Sequence, residues 1–171
     1  MGFPTKINYS WAKGFPGGIA SANPRRSAIP GPMGFVAGAA GVTVGAFGWV
    51  QADGVTVLNK PIGSEAPTGF VLRDQTGLIT AYLGESTMLL PSGFNVQLMT
   101  GGDYFAVSAT TAATAGQAIY ASTTDGTLAA GAAGTVPDGH VATSWIVTQG
   151  GGAGDTIIIS GAVAPIAGSN E

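Results

Sequence analysis

The stretch from residue 67 to residue 107 constrains the fold most, because its apolar residues follow the spacing of short β-strands. Phe70 and Leu72 alternate with Val71 and Arg73, and successive side chains of a strand point to opposite faces. No helical spacing of apolar residues competes with this pattern. The stretch therefore predicts four or five short antiparallel strands that form the central sheet.

Glycine and proline mark turns inside this stretch. The sequences PSG at 91–93 and GGD at 101–103 combine the fixed φ of proline with the positive φ that glycine adopts freely. Both are typical of chain reversals, so each predicts a turn between two strands.

A second alternating segment lies before the central stretch. Val42, Val44 and Ala46 are spaced to share one face of a strand, and Phe47 and Trp49 are spaced to share the other. The segment predicts a strand whose two faces both carry apolar side chains.

Asp-Gly dipeptides and a regular series of short apolar runs predict further hairpins and strands. Asp-Gly between two apolar runs favours the tight turns that join antiparallel strands. The segments that follow this rule are a hairpin over 36–58 around Asp53-Gly54, a hairpin of strands 118–122 and 127–130 around Asp125-Gly126, and strands at 141–148 and 156–163. Residues 108–117 and 150–155 are expected to be loops. Ten or so strands at this spacing predict an all-β fold, as a small antiparallel β-barrel or a sandwich.

Composition explains why such a chain is expected to be covered by other subunits. Only 9% of its 171 residues are charged, against about 25% in a typical soluble domain. A surface with so few charges is prone to non-specific association, and burial against neighbouring subunits prevents this. The chain has no cysteine, so no disulfide framework is expected. The start MGFPTKINYS lacks the apolar segment of a signal peptide, and no apolar run approaches the ~20 residues that span a bilayer. We therefore expect no membrane partner and synthesis inside the cell.

Residues 1–35, here called the arm, are expected to be extended. Five prolines interrupt the arm and exclude a regular helix. The arm also carries aromatic and basic side chains of the kind that anchor protein interfaces, and the candidate contact residues are Tyr9, Trp11, Phe15, Arg25 and Arg26. Two alternatives remain open from the sequence: the arm reaches a neighbouring molecule, or it wraps back over its own domain.

Charge is distributed unevenly between the arm and the rest of the chain. Residues 1–52 contain four basic residues and no acid, while residues 53–171 carry two basic residues against nine acids. This asymmetry favours docking of the arm onto an acidic surface. The acidic remainder argues against a nucleic acid as the partner.

The sequence contains no motif that specifies catalysis, a metal or a cofactor. His140 is the only histidine, it lies in a Pro-Asp-Gly turn, and no serine nucleophile motif accompanies it. The glycine-rich segments lack the Gly-Lys-Ser/Thr that would follow in a phosphate-binding loop. We expect no catalytic residue, no bound metal and no cofactor.

Four segments of the sequence together resemble the structural cement proteins of tailed bacteriophages, which decorate capsids. The segments are SANPR (21–25), the hairpin AGAAGVTVGAFGWV (37–50), PTGFV (67–71) and LPSGFNVQLMTGGDYF (90–105). The resemblance covers residues 20 to about 163.

The resemblance implies a β-barrel, β-tulip-like or jelly-roll, that decorates the outer surface of the expanded head. The chain would consist of the extended N-terminal arm (1–35), a β-barrel decoration domain (36–164) and a loose tail (165–171). It would bridge major capsid protein subunits, as a homodimer or homotrimer, and stabilise the head against the pressure of packaged DNA. Its localisation would be the virion.

Two other functions are compatible with the sequence. A glycan-binding or adhesion module on the virion surface would need an exposed aromatic pair, for which Tyr120 and Trp145 are the candidates in the C-terminal third. A hydrolase would need paired carboxylates, for which the acids near the central stretch, Glu65, Asp74 and Glu85, are the candidates.

Overall fold

The fold is all-β, as the sequence predicts. A computed structural model describes residues 13–74, 77–79 and 87–162, and no helix occurs within these ranges. In chain order the strands are β1 (Arg26–Ser27), β2 (Val36–Ala37), β3 (Val42–Thr43), β4 (Phe47–Val50), β5 (Thr56–Leu58), β6 (Gly69–Val71), β7 (Leu89–Leu90), β8 (Leu98–Val107), β9 (Ala118–Ser122), β10 (Leu128–Gly131), β11 (His140–Gln149) and β12 (Thr156–Gly161). The tail at 165–171 lies outside the described residues.

Most of the strands join one large sheet. Their order is β10-β9-β11-β12-β8-β6-β4-β5-β2, with β1 paired to β8 beside this path, and β3 and β7 form a separate ribbon. The pairing of β2 with β5 is parallel, whereas the other pairings between named strands are antiparallel. Antiparallel neighbours can be joined by the short Gly-rich turns in which this sequence abounds.

The middle of the sheet separates two hydrophobic cores. The side chains of Phe70 and Val71, neighbours on β6, are both fully buried, but Phe70 packs in one core and Val71 in the other. Leu98 and Met99 on β8 divide in the same way. The first core lies beside β8 to β12, and the second lies beside β2, β3, β5 and β7. Alternating side chains of one strand can serve both cores because they leave opposite faces of the sheet.

The predicted division of faces in the second alternating segment is consistent with these cores. Val42 and Val44 pack in the second core, while Phe47 and Trp49 pack in the first. Ala46 is also buried. The chain is not one continuous strand here, because a turn with a positive φ at Gly45 separates β3 from β4.

Four aromatic rings from four different strands form the centre of the first core. Phe47, Phe70, Tyr104 and Trp145 stand with ring centroids 5.6 to 6.1 Å apart in edge-on or tilted arrangements. Such pairs stabilise a fold by about 0.5–1.5 kcal/mol beyond the burial of their area. The rings therefore fix the mutual position of β4, β6, β8 and β11.

The two predicted Asp-Gly hairpins are confirmed, and the turn of the second is hydrogen-bonded to β4. β4 pairs with β5 across the first, and β9 pairs with β10 across the second. In the second turn the Phe47 N–H donates to the Gly126 carbonyl at 2.8 Å, and the Asn59 side chain donates to the Phe47 carbonyl at 2.9 Å. This turn thereby connects the strands of the first core to the β4–β5 hairpin. The predicted strands at 141–148 and 156–163 correspond to β11 and β12.

The predicted turn at GGD, 101–103, is wrong, because these residues lie inside the ten-residue strand β8. PSG at 91–93 does form a turn, with Gly93 at a φ of +87°. Of the four or five strands expected between 67 and 107, the described residues contain three, namely β6, β7 and β8. The glycines of GGD serve close contacts of β8 with the arm, which a sequence pattern does not distinguish from a turn.

The glycine of the second Asp-Gly turn, Gly126, is crowded by neighbouring atoms, whereas the glycine of the first turn, Gly54, is not. Gly126 and Gly54 both have a φ near +70°, at +72° and +70°. A Cβ at Gly126 would collide with the carbonyl oxygen of Phe47, whereas nothing lies within 4 Å of a Cβ at Gly54. We expect Gly54→Ala to cost about 1–2 kcal/mol for its backbone conformation, and Gly126→Ala to cost about 1–3 kcal/mol more.

Urea unfolding followed by tryptophan fluorescence measures both variants. Gly54→Ala reports the free-energy cost of a positive φ alone, and Gly126→Ala adds the cost of the steric clash with Phe47. Equal losses of unfolding free energy in the two variants would contradict the close contact between the second turn and β4.

Candidate functional site

The described part of the arm lies along β8 of its own chain, at two places. At the first, the Gly17 N–H donates to the Phe105 carbonyl at 2.8 Å and the Ala20 N–H donates to the Asp103 carbonyl at 2.9 Å. At the second, Arg26 of β1 lies opposite Gly101 of β8. Backbone hydrogen bonds at both places show that residues 17–28 wrap over their own domain.

The two contacts lie on opposite edges of β8. At the first contact, residues 17–20 lie on one edge of β8, and β12 pairs with the same residues of β8 on the other edge. At the second, the Ala28 N–H donates to the Leu98 carbonyl at 2.8 Å, while the Leu72 N–H, just beyond β6, donates to the preceding carbonyl, that of Gln97, at 3.0 Å. Successive carbonyls of a strand point to opposite edges, so the arm and β6 flank β8 here. Because β12 and β6 are the neighbours of β8 on its two sides in the sheet, the arm crosses over β8 between its two contacts.

Gly102 permits the arm to cross this closely. Its φ is +112°, and a Cβ built on it would lie 3.0 Å from Arg25 Cγ and 3.1 Å from the Tyr104 hydroxyl oxygen. Burial raises the pKa of Tyr104 to about 12, although the positive charge of Arg25 opposes this shift. Glycine at position 102 is thus required both by the backbone conformation and by the approach of the arm.

The carboxylate of Asp103 holds the arm at the crossing. The Ser21 hydroxyl and the Asn23 side-chain amide both donate to its Oδ2 atom at 2.6 Å. Hydrogen bonds from Ser160, and then from Ser21, hold the pKa of Asp103 below its ordinary value, because they stabilise the ionised form. A sequence reading places Asp103 in a turn, so it misses this role.

The N-terminal end of the described arm is held by weaker surface contacts. Lys13 Nζ lies 3.2 Å from Asp155 Oδ1, and the hydrogen bond from Lys13 lowers the pKa of Asp155. The Phe15 ring stacks on Arg73, with the guanidinium carbon 4.9 Å from the ring centroid. Exposed ion pairs contribute little to stability, at most about 1 kcal/mol. The arm is therefore held mainly by its backbone bonds to β8.

The structure distributes the five predicted contact residues as follows. Tyr9 and Trp11 lie outside the described residues. Phe15 is 53% exposed and contacts Arg73. Arg25 and Arg26 are neighbours at the crossing, and both are exposed. The structure thus places two of the described basic residues together on the surface, with the arm backbone already bound beneath them.

A second feature of the arm is not predicted by the sequence patterns. Ile29 and Met33, which flank Pro30-Gly31-Pro32, are 91% and 76% exposed. The signal lies in the sequence, where a large apolar residue stands on each side of Pro30-Gly31-Pro32. Proline by itself predicts only that a helix is excluded there.

The catalytic and metal candidates gain no support from the geometry. His140 Nδ1 lies 2.9 Å from the Asp138 carbonyl oxygen within its own turn. Asp74 accepts a hydrogen bond from the Gln97 side chain at 3.2 Å, and Glu85 lies outside the described residues. Over residues 13–74, 77–79 and 87–162, no group of three or more metal-ligating side chains lies together.

The aromatic pair proposed for glycan binding is not available on the surface. Trp145 and Tyr120 are 3% and 2% exposed. Trp145 belongs to the aromatic centre of the first core, and the Tyr120 hydroxyl donates to the Ala132 carbonyl at 2.6 Å. In the described part of the chain, no helix is long and apolar enough to cross a membrane.

Acid is expected to loosen the arm through Asp103. Because the folded pKa of Asp103 is lowered, its contribution is complete above the unfolded pKa of about 3.9 and is lost as the pH falls through the folded value. At neutral pH, Asp103→Ala removes the carboxylate that accepts the hydrogen bonds of Ser21 and Asn23. Each such bond is worth on the order of 1 kcal/mol, so the loss of both should let the Ala20 amide exchange roughly 30-fold faster with solvent.

Hydrogen exchange read by mass spectrometry measures this effect, and Asp53→Ala is the control. The Asp53 carboxylate accepts bonds from Thr56 and Val55 within its own turn. Exchange in the arm that is unaltered by Asp103→Ala, or altered equally by both variants, would contradict the role of Asp103.

Comparison with known proteins identifies the family. A search of curated protein sequences finds no match. Among solved structures, the chain is similar to one from the capsid of Myoviridae phage XM1, with a TM-score of 0.63 and 16% identity over 94% of this chain and 97% of that one. This similarity concerns the fold. The model of the XM1 gp53 minor capsid protein family matches residues 3–161. The chain therefore belongs to the XM1 gp53 minor capsid protein family, which makes it a structural protein of a bacteriophage capsid.

Proposed function

We propose that the chain is a capsid decoration protein that binds the outer surface of the expanded phage head and bridges major capsid protein subunits. The observation that carries this proposal, beyond the family, is the state of the arm. Backbone hydrogen bonds hold residues 17–20 and 26–28 on β8, whereas Arg25 and Arg26 are exposed. The described part of the arm is thus a fixed surface feature, which can meet a partner without first folding.

Protected sheet edges favour a discrete attachment rather than open-ended assembly. The edge strand β2 is covered by residues 94 and 95, since the Ala37 N–H donates to the Phe94 carbonyl at 2.8 Å. The opposite edge strand β10 bonds to the segment after β8, where the Ala109 N–H donates to the Leu128 carbonyl at 3.2 Å. Covered edges do not template further strands. Contacts with a capsid would then come from side chains, repeated around the shell and strengthened by multivalency.

The finer architecture belongs to the same proposal. We infer that β8, β12, β11, β9 and β10 curl into a small barrel around the first core. Supporting this, the bridge between Ser108 and Leu128 brings β10 back to the end of β8. The Thr111 hydroxyl adds bonds to the backbone of Ala130 at 3.0 and 3.1 Å. A homodimer or homotrimer would carry the bridging role, without a nucleic acid or membrane partner.

Binding to capsids is the direct test. Purified protein should co-sediment saturably, at a fixed ratio to the major capsid protein, with expanded heads that lack it. Unexpanded heads serve as the control and should bind less, because the proposed site is formed by the expanded lattice. A folded protein that fails to bind expanded heads at low salt would contradict the proposal.

The proposed contacts of Tyr9, Trp11 and Phe15 are tested with two variants. Deletion of residues 1–12 removes Tyr9 and Trp11 and leaves the described contacts with β8 in place. Phe15→Ala removes the third aromatic side chain. If these residues anchor the arm on the capsid, each variant should bind expanded heads at least about tenfold more weakly, since buried aromatic anchors contribute roughly 2 kcal/mol or more. Undiminished binding would remove them from the contact surface.

A further inference from the structure

The turn that follows β1 carries the two most exposed of the large apolar side chains in the described chain. Ile29 is 91% exposed and Met33 is 76% exposed. Single exposed apolar residues are common and need no explanation. Two of them together on one short turn, with every residue from 29 to 33 exposed, form an apolar tip that stands clear of the domain.

The tip is rigid and is held at both ends. The Gly34 N–H donates to the Gly31 carbonyl at 3.0 Å, which closes a β-turn with Pro32 at its second position. Gly34 has a φ of +73°. Before the turn Ala28 is bonded to β8, and after it the Phe35 carbonyl accepts from the Val96 N–H at 2.9 Å. A tip fixed in this way loses little conformational entropy when it binds.

Positive charge lies at the base of the tip. Arg25 and Arg26 are exposed immediately before it, and residues 1–52 contain no acid. Arginine beside an exposed apolar group is the composition of an interface anchor and its rim. The complementary surface is an apolar pocket with carboxylates at its margin.

We propose that residues 25–33 form a docking element that inserts Ile29 and Met33 into an acid-rimmed apolar pocket of the capsid lattice. This inference rests on the proposed function, and it names the part of the chain that makes the contact. The tip supplies the apolar burial, and the two arginines set the orientation and the salt dependence of binding.

Another copy of the same chain fits this tip less well than the capsid lattice does. Five of the seven carboxylates in the described residues already accept hydrogen bonds or an ion pair from their own chain. They are Asp53 with Thr56, Asp74 with Gln97, Asp103 with Ser21, Asp125 with Thr127, and Asp155 with Lys13. Carboxylates used in this way are poor partners for two further arginines.

The test compares two double variants in the capsid co-sedimentation assay. Ile29→Ser with Met33→Ser removes the apolar tip. Ile62→Ser with Val136→Ser is the control, because those side chains are exposed to 65% and 46% but lie outside the arm. We expect the first variant to bind expanded heads at least about tenfold more weakly, and the control to bind like the wild type. Thermal unfolding should be unchanged in both, since all four side chains are exposed.

The salt dependence of binding and a charge-reversal variant test the role of the two arginines in the docking element. Binding of the wild type should weaken as salt is raised from low to high concentration, and Arg26→Glu should bind more weakly at low salt and show a smaller salt dependence. Arg26 is suited to this change because its side chain is exposed and its bonds to the described residues are made by its backbone in β1, where the Thr100 hydroxyl donates to its carbonyl at 3.3 Å.

Several outcomes would overturn the inference, and they differ from a failure of the proposed function. If the wild type binds expanded heads and the tip variant binds equally well, the docking element is wrong while the decoration function stands. If the wild type and the control variant sediment as an oligomer in the absence of capsids and the tip variant sediments as a monomer, the tip binds a second copy of the chain and not the capsid. If the wild type does not bind at all, the proposed function itself fails.

Discussion

The backbone ladder of β8 is the interaction on which the rest of the structure depends. One edge of the ten-residue strand pairs with β12 and then with β1, and the other pairs with β6 and with residues 17–20. Its side chains enter both hydrophobic cores. Because a strand satisfies hydrogen bonds on two edges and presents side chains on two faces, β8 can join the sheet, the cores and the arm at once.

The physical consequence for function is a separation of backbone and side-chain roles in the arm. Peptide groups at both ends of residues 17–28 are hydrogen-bonded to β8, so this described segment need not order itself on a partner. Charged and apolar side chains of the same segment remain exposed. Such a surface suits a protein of a capsid, where the same small contact recurs on many subunits and the total strength comes from repetition.

Part of this arrangement could be predicted from local sequence because the governing physics is local. Asp125-Gly126 sets the twist of its own hairpin, and the alternation of Phe47 and Trp49 against Val42 and Val44 fixes which side chains share a face. The Gly101-Gly102-Asp103 segment shows where such reasoning fails. Glycine permits both a turn and a close crossing, and distant residues decide between them, namely the paired residues of β12 and Arg25 of the arm.

The sequence by itself determined the all-β class, the hairpins, the basic arm and the lack of any catalytic motif, since these follow from the spacing and composition of neighbouring residues. Only the tertiary structure decided that the arm crosses β8, that Asp103 binds Ser21 and Asn23, and that Tyr120 and Trp145 are buried. These features join residues up to about eighty positions apart in the chain. Their pairing is chosen by the packing of the whole sheet, which no local pattern records.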